Sequence, residues 1–294
     1  MKLRMEPLGY TIVEVLIFLA VSGGLAASAF ALISGKQQSV EFNNAVRDFD
    51  NQLHDIANDV ATGYFSGGGS FQCDDTGSGS SNVKIKLPGP TTEQGTSYKC
   101  ILLGRVFQFA RLGEPGSVRV YNIAGLRQFV NPTPPDRDVL TLAEAEPVVV
   151  AKSKDNTSFK PDVFDDKNLD SGVTIDKITY LDSVTGTEYP IGAFGFLMSL
   201  PGSGSGGGLA SGSATTQVMP ITSVELGEDP YSEAIDDINN ALQDSIPPPV
   251  LRGNDTITVC LKSAGTNQHA LIKLGGQSNG PLATVVTIDA GACP

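Results

Sequence analysis

The chain has 294 residues, enough for one large domain or two modest ones. Its net charge of −12 and pI near 4.5 repel phosphate backbones, which argues against nucleic acid as a partner. With 33 Gly and 18 Pro it is loop-rich, yet 40% apolar residues and several strand-like runs argue for a folded body over disorder.

Residues 1–9, MKLRMEPLG, are short and charged, with Lys2, Arg4 and Glu6. From Tyr10 to Ile33 every residue is apolar or small except Glu14, the single charge. That stretch of roughly 24 residues makes about 36 Å of helix, enough to cross a bilayer. Lys2 and Arg4 before it and an acidic body after it place the amino end in the cytoplasm and the rest outside. Three readings compete. A secretory signal peptide fits the basic start, the apolar core and the small-x-small run Ala27-Ser28-Ala29. A plain membrane anchor fits the length. Neither accounts for Glu14, because a charge at bilayer depth costs roughly 2.5–3.5 kcal/mol and needs a partner.

The third reading does account for it. The string Gly9-Tyr10-Thr11-Ile12-Val13-Glu14-Val15-Leu16-Ile17 resembles the class III signal of type IV pilins and type II secretion pseudopilins. In that family a short charged leader ends in Gly, an aromatic residue follows, and a Glu lies five residues into the mature chain. Tyr10 here stands where Phe is usual. The resemblance implies that a prepilin peptidase removes the leader between Gly9 and Tyr10 and that the new amine of Tyr10 is N-methylated. It also implies that Glu14 pairs with the terminal amine of a neighbouring subunit. Such a pair is tolerable inside an apolar helix bundle, whereas a lone carboxylate is not.

The remaining organisation follows in chain order. Residues 10–35 form the transmembrane or filament-core helix, with Gly23, Gly24 and Gly35 as points of bending or melting. Residues 36–65 continue it as an amphipathic helix. Phe42, Val46, Phe49, Leu53, Ile56 and Val60 recur in alternating steps of four and three, the mark of one buried helical face. Ser66-Gly67-Gly68-Gly69-Ser70 ends the helix, and residues 66–294 form a β-rich head.

Strands are expected at Val83–Leu87, Ile101–Arg111, Ser117–Ile123, Val148–Ala151, Val173–Leu181, Ile191–Met198, Thr256–Ser263, His269–Leu274 and Ala283–Ile288. The run from Cys100 to Arg111 is apolar enough for a central strand. Residues 201–214 read as a low-complexity loop. One helix interrupts the strands, with Asp229 as N-cap, Pro230 at its first position, and an apolar face of Tyr231, Ile235, Ile238 and Leu242. Pro247-Pro248-Pro249 stops it.

Four cysteines, at 73, 100, 260 and 293, show no Cys-x-x-Cys spacing and no His cluster, so metal binding is not expected. In a chain that leaves the cytoplasm they read as two disulfides. Three pairings are open; the pairs close in sequence, Cys73 with Cys100 and Cys260 with Cys293, are favoured over the others and over four free thiols. Each would close a loop of roughly 30 residues and contribute about 3–4 kcal/mol. The resemblance agrees with a bridge near the carboxyl end.

No catalytic constellation is present. His54 and His269, the two histidines, read as surface residues, and no nucleophile elbow, zinc-binding His-Glu pair or phosphate loop occurs. Acidic clusters at Asp74-Asp75, at Asp162, Asp165, Asp166 and Asp170, and at Glu225, Glu228 and Asp229 lack the EF-hand spacing and read as solvated surface in preference to calcium ligands.

The fold class expected is therefore α+β and pilin-like: a long amino-terminal helix packed on an antiparallel head. The function expected is that of a structural subunit, a minor pilin or pseudopilin, and not an enzyme; no cofactor is expected. Its partners would be the prepilin peptidase, the membrane, other pilin subunits and the assembly machinery. It would sit first in the inner or cytoplasmic membrane with the head outside, then in an extracellular or periplasmic filament. The alternatives are an adhesive head on a pilin-like anchor and a secreted protein with an ordinary signal peptide.

Overall fold

The computed structural model describes residues 11–63, 72–74, 84–86, 100–111, 113–129, 137–150, 163–169, 172–200, 216–227, 231–244, 250–276, 284–289, 291 and 293. Helix α1 runs unbroken from Ile12 to Thr62, 51 residues that pass through Gly23, Gly24 and Gly35 without interruption. It ends earlier than the sequence reading has it. Gly63 adopts a left-handed backbone (φ 67°), and its N–H donates to the Asp59 and Val60 carbonyls. A glycine takes that conformation without the steric cost a Cβ would add, so the stop lies before the Gly/Ser run.

The strands follow as β1 (Gln72–Asp74), β2 (Lys84–Lys86), β3 (Cys100–Arg111), β4 (Glu114–Leu126), β5 (Gln128–Phe129) and β6 (Arg137–Asp138). Helix α2 (Leu142–Ala145) precedes β7 (Val148–Val149), β8 (Val163–Asn168), β9 (Val173–Asp182), β10 (Thr187–Pro190), β11 (Ala193–Met198) and β12 (Thr216–Ile221). Helix α3 (Tyr231–Asp244) leads to β13 (Thr256–Ser263), β14 (His269–Gly275) and β15 (Thr284–Asp289).

Every described pairing is antiparallel. A six-stranded sheet has the order β12-β11-β3-β4-β7, with β8 also on β4. A five-stranded sheet has the order β10-β9-β13-β14-β15. The run from Cys100 onward is thus a central strand, as expected, and the carboxyl-terminal hairpin with its third strand is present as β13, β14 and β15. The chain combines helix with antiparallel sheet.

Several strands have no alternation to announce them. β10 is exposed at all four positions, β8 carries Asp165, Asp166 and Lys167, and β12 contains Pro220. Each lies at a sheet margin or is paired on one side, where a proline or a polar run costs little. At the centre, β11 runs so close to β3 that a Cβ on Gly104 would collide with the Phe196 carbonyl oxygen. Only glycine fits there.

The core has two parts. In the first, the stem stripe Phe42, Val46, Phe49, Leu53, Ile56 and Val60 is buried against Phe107, Phe109, Phe194 and Phe196 of the six-stranded sheet and Ile178, Val259 and Ile272 of the other. Phe49 meets Phe109 edge-on, with ring centroids 6.2 Å apart, and Phe109 stacks on Phe194 at 5.1 Å. Burying each such side chain contributes about 1.5–3 kcal/mol. In the second, alternate residues of the same strands face away from the stem. Leu103, Tyr121, Ile123, Leu197 and Met219 pack there against Leu142 and Ala145 of α2 and Ile235, Ile238 and Leu242 of α3. The expected apolar face of α3 is buried at those last three residues. Its expected cap and stop, Asp229, Pro230 and Pro247 to Pro249, lie outside the described residues.

Candidate functional site

The stem helix has two halves with opposite environments. Ile12–Phe30 has a mean hydropathy of 2.1 and is wholly unburied, long and apolar enough to cross a membrane. Ile12 is 81% exposed, Phe18 72% and Phe30 74%. A soluble surface does not carry a row of this kind without something to cover it. The helix is compatible with a membrane anchor or a signal sequence.

Glu14 sits in the first turn of this half and is exposed. Its backbone N–H donates to the Thr11 hydroxyl oxygen at 3.3 Å, and Thr11 is the helix N-cap. Thr11-x-x-Glu14 has the spacing of a capping box, a signal that the sequence reading passed over. The same pattern recurs at α2. There the Glu144 N–H donates to the Thr141 hydroxyl at 3.2 Å, and the Glu144 carboxylate accepts from the Leu140 N–H at 2.8 Å. Glu14 therefore has a local role at the helix start, where an acidic residue in the first turn contributes about 0.3–1 kcal/mol through the helix dipole. That is less than the roughly 2.5–3.5 kcal/mol a charge costs at the bilayer midplane. Gly9 and Tyr10, the expected cleavage and methylation positions, lie outside the described residues.

Polar contacts fasten the lower half of the stem to the head. Arg105 on β3 is fully buried, and its Nη1 donates to Asp59 Oδ2 at 2.7 Å. Its Nε donates to Asn122 Oδ1 at 3.3 Å, and its guanidinium lies 3.7 Å over the Phe164 ring. A buried guanidinium is tolerable because the carboxylate, the amide and the ring share its charge. Gln52 Nε2 donates to Asp165 Oδ2 at 2.8 Å, and Gln268 Nε2 donates to the Ser39 hydroxyl at 2.9 Å. His54 is half-exposed, as expected of a surface residue, but its Nε2 lies 3.4 Å from Thr284 Oγ1 on β15.

One expected disulfide is present: Cys260 on β13 is bonded to Cys293, with their Cα atoms 5.8 Å apart. It ties the chain's end to the outward face of the five-stranded sheet. The side chains of Cys73 and Cys100 lie outside the described residues, so their expected pairing does too.

The acidic cluster at Asp165 and Asp166 is more engaged than the solvated surface expected of it. Asp165 also accepts from Lys167 at 2.9 Å, and Asp166 accepts from Arg119 Nε at 3.2 Å. Asp162, Asp170, Asp75, Glu228 and Asp229 lie outside the described residues. Among the described residues no group of three or more His, Cys, Asp or Glu comes together to hold a metal ion.

Among the described residues the most enclosed carboxylate is Asp255, before β13, which the sequence does not single out. It accepts from the Ser183 N–H at 2.8 Å, the Ser183 hydroxyl at 2.6 Å, the Arg252 N–H at 2.9 Å and the Tyr180 hydroxyl at 3.3 Å. Burial works against its charge, but these hydrogen bonds outweigh it and hold the pKa below the ordinary 3.8. Burial, with the charges of Asp255 and Asp182 nearby, pushes Tyr180 up to about 12. This network locks the turn between β9 and β10 and is structural.

An open cleft of about 290 Å³ separates the stem from β8, with Phe49, Val118 and Leu169 among its lining and Asp48, Asp55 and Lys167 as its charged groups. No protein-family model matches the chain, and no curated protein and no solved structure matches it.

Proposed function

We propose that the chain is a filament subunit of the type IV pilin or type II secretion pseudopilin kind. The observation that carries this reading is the division of one continuous helix, α1. Its lower half is docked on a two-sheet antiparallel head, while Ile12–Phe30 projects with its entire surface uncovered. In a membrane lipid covers that surface; in a filament the same surface packs against the helices of neighbouring subunits. The leader ends at Gly9, the mature chain begins at a methylated Tyr10, and Glu14 pairs with the terminal amine of the adjacent subunit and sets its axial register. The architecture supports a pilin-like assignment because a helix half-exposed and half-buried against antiparallel sheet is what such a subunit requires.

Mass spectrometry of the mature amino terminus tests the reading. N-methyl-Tyr10 is the expected result, and Gly9→Val should leave the leader attached and block assembly. A mature chain that starts after Ala29 would replace this reading with ordinary secretion.

A further inference from the structure

Two surfaces, one on the stem and one on the head, carry exposed charge of opposite sign that meets no partner among the described residues. The first is the flank of α1 that borders the cleft against β8. Asp48 and Asp55 line it, are exposed, and meet no cation or donor among the described residues. They stand two helical turns apart, about 10 Å. The cleft's own lysine, Lys167, is already held by Asp165 at 2.9 Å, and Gln52 is held by the same carboxylate. The floor beneath them includes Ala45, Phe49, Val118 and Leu169. An apolar floor with carboxylates at the rim suits a long aliphatic side chain that ends in a cation.

The second face is the outward side of the five-stranded sheet. Strand alternation buries Leu261, Ile272 and Leu274 against the stem, so Lys262 of β13 and Lys273 of β14 point away from it, and both are exposed. Lys273 is in register with Thr258, four residues from Lys262 on the neighbouring strand. The two lysines are therefore about 14 Å apart at the backbone, within side-chain reach of the Asp48 and Asp55 spacing. Neither ammonium group meets a carboxylate among the described residues, whereas Lys177 on the same sheet is paired with Glu188 at 3.6 Å. Among the described residues, the carboxylates of this face sit at its margins, Glu188 on edge strand β10 and Asp289 on edge strand β15, with Asp176 at the β9 bulge.

We propose that the acidic cleft beside the stem of one subunit receives Lys262 and Lys273 of a second copy of this chain. The contact joins different surfaces on the two copies, and a contact of that kind that does not close into a ring propagates into an open filament. It also matches charge between copies that, at −12 each, otherwise repel. The inference rests on the subunit reading above.

The test uses the full chain in its membrane or filament form, made as a mixture of light and heavy-isotope copies. A zero-length carbodiimide reagent couples carboxylates to amines already in contact. Hybrid-mass links from Asp48 or Asp55 to Lys262 or Lys273 are expected, and their absence at these residues overturns the contact. Asp48→Lys with Asp55→Lys should lower assembly by about tenfold or more, and Lys262→Asp with Lys273→Asp should do the same. Combining all four changes should restore it; no restoration overturns the pairing. Formation of the Cys260–Cys293 bridge in each variant separates misfolding from lost assembly, and the coupling experiment needs no variant. Filaments without hybrid links would remove this contact and leave the subunit reading standing. Hybrid links in a chain that never forms filaments would do the reverse.

Discussion

The two halves of α1 are built from one continuous helix, yet they answer to different surroundings. From Phe42 to Val60 the apolar residues occupy one stripe, and that stripe is buried. From Ile12 to Phe30 they surround the helix, and none is buried. A helix apolar on one side needs one partner surface; a helix apolar all round needs to be enclosed. The lower half therefore belongs to the fold, and the upper half belongs to whatever encloses it. Stability and assembly should accordingly respond to different residues.

The largest effect on stability is expected in the lower half. Phe49→Ala removes a ring packed on Phe109 and should cost about 3–5 kcal/mol in chemical unfolding of the head. Phe18→Ala, in the exposed half, should leave that unfolding unchanged within about 0.5 kcal/mol. Equal losses for the two would erase the distinction between the halves. Replacing Cys260 and Cys293 by Ser frees a loop with a sequence separation of 33 and should cost about 3–4 kcal/mol on chain entropy.

A smaller loss tests the clamp that fastens the stem. Asp59→Ala leaves Arg105 buried without its carboxylate and should cost about 2–3 kcal/mol, at the lower end for a buried pair because Asp59 is 31% exposed. Glu14→Gln should not move head stability at all. It keeps the N–H that donates to Thr11 and removes only the charge. If Glu14 serves merely as a helix-start residue, filaments should form at normal levels. If it pairs with another subunit's amine, membrane insertion and leader cleavage should persist while incorporation falls by about tenfold or more.

The smallest effects are those of pH on the head. The folded pKa of Asp255 is depressed, so its contribution is present above the unfolded value of 3.8 and is lost as pH falls through the lower folded value. Tyr180 has the opposite sense. Its folded pKa is raised from 10.0 to about 12, so its contribution is present below 10.0 and is lost as pH rises through about 12. A phenolate absorbance titration should show a late-ionising component, and Tyr180→Phe should reduce it by one tyrosine.

Much of this could be read from residue order because it depends on periodicity. The stem stripe, the central strand from Cys100, the carboxyl-terminal hairpin with its third strand and the face of α3 all follow from apolar spacing, and the structure contains them. β8, β10 and β12 were not legible, since each takes its conformation from a neighbouring strand and not from its own pattern. Arg105 was equally hidden. A lone arginine inside an apolar strand gives no sign that Asp59, forty-six positions earlier, will meet it.

The sequence by itself determined where the apolar surface lies, that one helix would carry both a membrane-grade half and an amphipathic half, and that Glu14 would be the single charge in the first. Those properties are local, set by the identity and spacing of neighbouring residues. Only the tertiary structure decided where the helix stops at Gly63, which of the described carboxylates are engaged by distant residues, and which lysines face outward from the sheet. Those depend on pairings between residues far apart in the chain, and they exist only once the two sheets have closed around the stem.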